Sequence, residues 1–165
     1  MKKLIYTTLF LVLTGSMLNA CKSDDDSSDN DTSNELSING ETFELNDSGV
    51  LTSYGDNDNG SFDWDVDIFG SEAFVYLDLN TSSENGLVSG TYTYSSMREA
   101  FTFVDGEVSF GDDESYYDLQ DSTIEIDVDG DTVSIQFSTI STEDGEETAI
   151  ECDWSGTLTL EDGGE

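Results

Sequence analysis

Between Phe62 and Ile68 every second residue is apolar and every residue between is an aspartate. Phe62, Trp64, Val66 and Ile68 alternate with Asp63, Asp65 and Asp67. A period of two marks a strand with one buried face and one wet face. A helix would spread these acids around its whole circumference and could bury none of its sides cleanly. The same grammar recurs. Ile124, Ile126 and Val128 alternate with Glu125, Asp127 and Asp129, and Val133, Ile135 and Phe137 with Ser134, Gln136 and Ser138. Ile150, Cys152 and Trp154 also take alternate positions, which places Cys152 on a core face as a small apolar residue. Trp64 and Trp154 belong to such apolar faces too.

Turn formers punctuate these runs. Asn39-Gly40 joins Leu36–Ile38 to Thr42–Leu45, and Asp129-Gly130 lies between the two runs that end and begin beside it. Asp105-Gly106 reads as a third hairpin, between Phe101–Val104 and Glu107–Phe110. Further strands are expected at Val50–Tyr54, Ala73–Leu79, Gly90–Tyr94, Thr148–Trp154 and Thr157–Leu160. No stretch keeps a helical period over three turns; Ser95–Ala100 offers one turn at most, and the chain has no proline. The expected fold is all-β: one domain over residues 36–162, an antiparallel sandwich or barrel of about ten short strands, with a tail at 163–165. Aspartate on the outer faces would also discourage edge-to-edge pairing of exposed strands.

The N-terminal segment follows another pattern. Lys2 and Lys3 precede an apolar run from Leu4 to Leu13, which is interrupted by Tyr6, Thr7 and Thr8. Leu18-Asn19-Ala20-Cys21 then supplies small residues and a cysteine. The run is short for a membrane span, which needs roughly 20 apolar residues. The order is that of a secretory signal with a small-residue cleavage site, so residues 1–20 are expected to be removed. Cys21 would then carry lipid on its sulfur and tether the chain to a membrane without a spanning helix. This segment resembles the lipobox signals of bacterial lipoproteins.

Lys22-Ser23-Asp24-Asp25-Asp26-Ser27-Ser28-Asp29-Asn30-Asp31 follows, without an apolar residue. Such a tract cannot bury surface, and its like charges extend it. Residues 21–35 are therefore expected to form a lipidated, acidic, disordered linker. The Lys-Ser-Asp-Asp-Asp order resembles the acidic export signal of Bacteroidota surface lipoproteins, which implies display on the outer face of the outer membrane.

Charge and residue types narrow the chemistry. The chain has 38 acids, four bases and a formal net charge of −34. Beyond the leader only Lys22 and Arg98 are basic, and Arg98 is expected to neutralise nearby acids. A body this negative repels nucleic acid and anionic headgroups and favours cationic partners. With no histidine, a Ser-His or Cys-His arrangement is excluded, as is zinc bound by the usual Cys/His spacing. No phosphate-cradling Gly-Lys-Ser/Thr loop occurs.

No cofactor is expected, although calcium is the cation that oxygen-rich loops would suit. Its candidate loop is Asp56-Asn57-Asp58-Asn59-Gly60, with Asp56 and Asp58 as ligands. Tyr92, Tyr94, Tyr116 and Tyr117 are candidates for a ligand platform, and Tyr92 and Tyr94 share a face. The domain loosely resembles small β-sandwich or lipocalin-like bacterial lipoproteins. The likeness rests on Ile38-Asn39-Gly40, Ser89-Gly90-Thr91-Tyr92, the Ile124–Phe137 hairpin and Trp154-Ser155-Gly156-Thr157-Leu158. The expected function is a non-enzymatic, surface-displayed binding or accessory domain for a protein or glycan partner. The alternative is a carbohydrate- or small-ligand-binding module of a nutrient-uptake system. Behind it stands a small glycan-processing enzyme using paired carboxylates.

Overall fold

A computed structural model describes residues 34–111, 115–143 and 145–163. The leader, Cys21, the acidic tract and residues 164–165 of the tail lie outside the described residues. Ten strands follow in order: β1 (Glu35–Ile38), β2 (Glu41–Asp56), β3 (Phe62–Gly70), β4 (Ala73–Thr81) and β5 (Gly90–Tyr94), then β6 (Thr102–Phe110), β7 (Ser115–Asp118), β8 (Thr123–Asp129), β9 (Thr132–Glu143) and β10 (Glu146–Asp162). The described residues contain no helix.

All ten strands join one sheet in the order β4-β3-β2-β1-β10-β9-β8-β5-β6-β7. β6 also pairs with β4, so the sheet closes on itself as a barrel with β7 laid along β6. That closure chooses the barrel over the sandwich. Most pairs are antiparallel, but two are parallel. Thr157–Asp162 of β10 run beside Ser48–Ser53 of β2, and β5 touches β6 over Thr93 and Tyr94. β1 fills the space between β2 and β10 at the other end of those two long strands.

Alternation translates directly into the wall. Trp64, Val66 and Ile68 of β3 point inward and are buried, while Asp63, Asp65 and Asp67 lie on the outer face. Leu36, Leu77, Phe103, Ile124, Ile135 and Trp154 are fully buried from six different strands, so side chains fill the barrel interior. Both indoles place their N–H on carbonyls, Trp154 on Asn46 at 2.6 Å and Trp64 on Ser83 at 3.2 Å. Asn39 and Gly40, at φ of 51° and 81°, make the two-residue turn that the sequence announces.

Three strand expectations need correction. β6 runs unbroken through Asp105-Gly106, and no hairpin forms there. Opposite Asp78 and Leu79 of β4 the register skips Val104, so a β-bulge lies just before the pair. The Asp105 carboxylate accepts the Gly106 N–H, and the Gly106 carbonyl accepts the Leu119 N–H. β2 and β10 are each continuous where two short strands were expected. They cross at Gly156, where an added Cβ would fall 2.2 Å from the Asp47 carbonyl oxygen, so the glycine permits close approach rather than breaking the strand. β7 was not expected, because Ser115-Tyr116-Tyr117-Asp118 is too short to show a period.

Candidate functional site

On the outer wall, antiparallel register sets acids side by side. Asp65 of β3 lies opposite Asp78 of β4, which lies opposite Asp105 of β6. One step along, Asp63 faces Asn80; one step the other way, Asp67 faces Tyr76, and Tyr76 faces Glu107. Carboxylate oxygens of Asp63, Asp65 and Asp78 all lie within 4.8 Å of one another. Like charges this close cannot all stay ionised without help.

Arg98 supplies that help from the loop between β5 and β6. Its guanidinium forks onto Asp78, NH1 to Oδ1 and NH2 to Oδ2, both at 2.7 Å. NH1 also lies 2.5 Å from Oδ1 of Asp63. That second contact is ionic rather than directional, since the same buried Asp63 oxygen accepts no hydrogen bond of good geometry. The loop is fixed at several points. Asn59 Nδ2 and Ser61 Oγ both donate to the Arg98 carbonyl, at 2.6 and 2.9 Å, and Thr102 Oγ donates to the Glu99 carbonyl at 2.7 Å. Phe101 re-enters the wall at φ 66°, a conformation uncommon outside glycine, and packs its ring at a tilt against Tyr92.

One guanidinium against three carboxylates leaves the patch negative, and partial burial amplifies the repulsion. Asp63 is raised to about 6, first by burial, then by Asp78, with Arg98 opposing. Asp65 is also raised to about 6, by burial and then by Asp78, although the Tyr76 hydroxyl donates to it at 3.1 Å. Asp67 is raised by burial and by Glu161 of β10. Asn80 is wholly buried beneath this corner; its Oδ1 accepts from Asn57, and its Nδ2 has no partner. A notch of about 270 Å³ lies next to the Arg98 loop, lined by Asn59, Gly60, Ser61, Glu99 and Ala100 and by none of the three acids.

The expected site residues fall elsewhere. Asp56 and Asp58 are exposed, and an Asp56 oxygen accepts the Asp58 N–H in a local turn, so the convergent carboxylates are Asp63, Asp65 and Asp78 instead. Tyr92 is fully buried with its hydroxyl donating to the Val88 carbonyl, which removes it from any surface platform. Tyr94 packs edge-on to Phe103, and Tyr117 stacks on Phe110. Tyr94 and Tyr117 lie beside Phe103 and Val108 of β6, about 17 Å apart at strand spacing, so the four tyrosines form no single platform. Cys152 is buried and its thiol is pushed up to about 12 by that burial, which leaves it an inert core residue. The acid cluster escapes sequence reading because Asp78, between Leu77 and Leu79, carries no mark of its own.

No protein-family model, curated protein or solved structure matches this chain.

Proposed function

We propose that this chain is a lipid-anchored, surface-displayed binding domain that performs no catalysis itself. The observation that carries the reading is the order Leu18-Asn19-Ala20-Cys21 followed at once by an acidic tract. Lipid on Cys21 would hold the barrel at the outer membrane, and the tract would hold it clear of the headgroups. The barrel supports a binding role in one respect: its interior is packed with side chains, so recognition falls to its outer wall and edges. Arg98 ties up Asp63 and Asp78, two of the three convergent carboxylates, which favours a clamp over a catalytic pair. Replacing Cys21 with Ala should move the protein from the membrane to the soluble fraction on cell fractionation. A variant that still sediments with membranes would end the lipid reading.

A second reading follows from the carboxylate trio. Calcium takes six to eight oxygens, and Asp63, Asp65 and Asp78 present their oxygens together, with Asp65 outside the grip of Arg98. Extracellular sites of this kind bind at roughly 10⁻⁴–10⁻³ M. About 5 mM calcium chloride should then raise the melting temperature by a few degrees over sodium chloride of equal ionic strength. Asp65→Asn should lose the rise. Identical melting in the two salts would remove calcium from consideration.

A further inference from the structure

On one side of the barrel two strand edges face each other without pairing. β8 accompanies β9 only as far as Phe137, opposite Ile124. Thr139 to Thr142 of β9 therefore have β10 on one side and, among the described residues, no ladder partner on the other. β7 likewise pairs with β6 alone. Between the two edges lies a groove of about 370 Å³, with Tyr116 and Ile140 on its walls and Asp118 and Asp121 at its rim.

Register identifies the groups that the β9 edge presents. The Ala149 N–H donates to Asn39 Oδ1, and the Ala149 carbonyl accepts the Asn39 N–H. Both backbone groups of Ala149 thus face β1 and turn away from β9. Ala149 stands opposite Ile140. In an antiparallel ladder the backbone groups of such a pair point away from each other, so those of Ile140 point to the open edge. Alternation adds Thr142, whereas Ser138 adjoins the last β8 pair and its N–H belongs to that ladder. Two N–H and two C=O groups are offered, about 7 Å apart along the strand.

Protein edges are ordinarily blunted by a charge, a proline or a bulge. Ser138-Thr139-Ile140-Ser141-Thr142 has neither charge nor proline, in a chain otherwise dense with acids. Its apolar residue is displayed outward: Ile140 is 57% exposed, and Tyr116 across the groove is 50% exposed. A second copy is a poor occupant, because it would bring two bodies of formal charge −34 together. The acidic rim and the whole field favour a cation.

We propose that the β9 edge is a strand-addition site for an extended, basic segment of a partner protein, with apolar side chains entering the Tyr116–Ile140 groove and Lys or Arg meeting Asp118 and Asp121. This rests on the binding role proposed above and names the class of partner. Main-chain hydrogen bonds would supply affinity, and the groove and rim would supply selection.

The test uses the full chain and three capped synthetic peptides: alternating Lys-Val, alternating Glu-Val, and alternating Lys-Val with every backbone nitrogen methylated. The methylated peptide has the charge of the first but no N–H to donate to a ladder. Unmethylated Lys-Val alone should bind and should shift and protect the amides of Ile140 and Thr142 in NMR hydrogen exchange. Ile140→Pro removes one N–H from the open edge and none from the β10 ladder, and should weaken binding about tenfold or more. If that variant melts early, Ile140→Lys poses the same question by repulsion. Equal binding of the methylated peptide, binding that leaves these two amides unchanged, or binding of Glu-Val would overturn the proposal. So would concentration-dependent protection of the edge without peptide, which would assign it to a second copy. Absence of peptide binding alongside Cys21-dependent membrane fractionation would defeat the strand-addition site and leave the anchored reading standing.

Discussion

Replacing Trp154 with Ala should bring the domain close to unfolding at 37 °C. The indole is fully buried on β10, at the place where β10 crosses β2. Gly156 is bare there because both the Asp47 carbonyl and the Trp154 ring occupy the space that a Cβ would need. Truncation removes the ring and leaves a void whose walls are strand backbone and cannot collapse easily. Such losses cost about 3–5 kcal/mol. The Asn46 carbonyl also loses its 2.6 Å donor, at a further cost of about 1 kcal/mol. A domain of this size is held together by only about 5–15 kcal/mol. The melting temperature, followed by circular dichroism, should fall by about 15 °C. Trp154→Phe keeps most of the volume and loses the N–H, so it should lie between the two. A Trp154→Ala protein that melts within about 3 °C of the parent would show that the crossing does not depend on the indole.

The parts of this architecture that were legible share a local cause. β3, β8 and β9 each bury one face and wet the other, so pairing with any neighbour yields the same alternation. The Asn39-Gly40 turn was legible because two consecutive residues at positive φ need those residue types. Asp105-Gly106 has the same appearance, yet it lies inside β6. Its conformation is decided by the register against β4, which separates residues about 27 positions apart and leaves no local trace. Barrel closure is hidden for the same reason, since it rests on the β4–β6 pairing. Alternation correctly put Tyr92 and Tyr94 on one side of β5, but a period of two does not say which side faces inward, and Tyr92 belongs to the core. The acids of β3 were visible as an outer row. Their union with Asp78 and Arg98 required the loop after β5 to fold across the wall, which only tertiary contacts such as those of Asn59 and Ser61 with the Arg98 carbonyl determine.

Arg98→Met should destabilise the domain strongly at pH 7.5 and much less at pH 5. Methionine keeps the aliphatic reach of the side chain and removes the fork. Asp78 and Asp63, with side chains 9% and 16% exposed, would be left crowded, poorly solvated and without their counter-charge. Breaking a fully buried pair costs about 3–5 kcal/mol. Arg98 itself is 38% exposed, so screening by solvent reduces this to about 2–3 kcal/mol, or about 10 °C in melting temperature. The pH dependence follows from the direction of the shifts. Asp63 and Asp65 titrate at about 6 in the folded chain, above the ordinary carboxylate value of about 4. Between those limits the folded state holds protons that the unfolded state has released. Folding is therefore favoured as pH falls through 6 toward 4, and that gain is lost as pH rises again. The groups facing this corner act in one direction: Asp67 on β3, Asp105 and Glu107 on β6 and Glu161 on β10 are acidic, and Tyr54 on β2 and Tyr76 on β4 are neutral. The parent should itself melt higher at pH 5 than at pH 7.5. Removing Arg98 takes away the contribution that lowers Asp63, so its carboxyl titrates higher still and protonation erases more of the strain. The gap between variant and parent should shrink by about half or more between pH 7.5 and pH 5. A gap of equal size at both pH values would mean that Arg98 acts through packing of its stem, and that the charge balance on the wall does not govern stability.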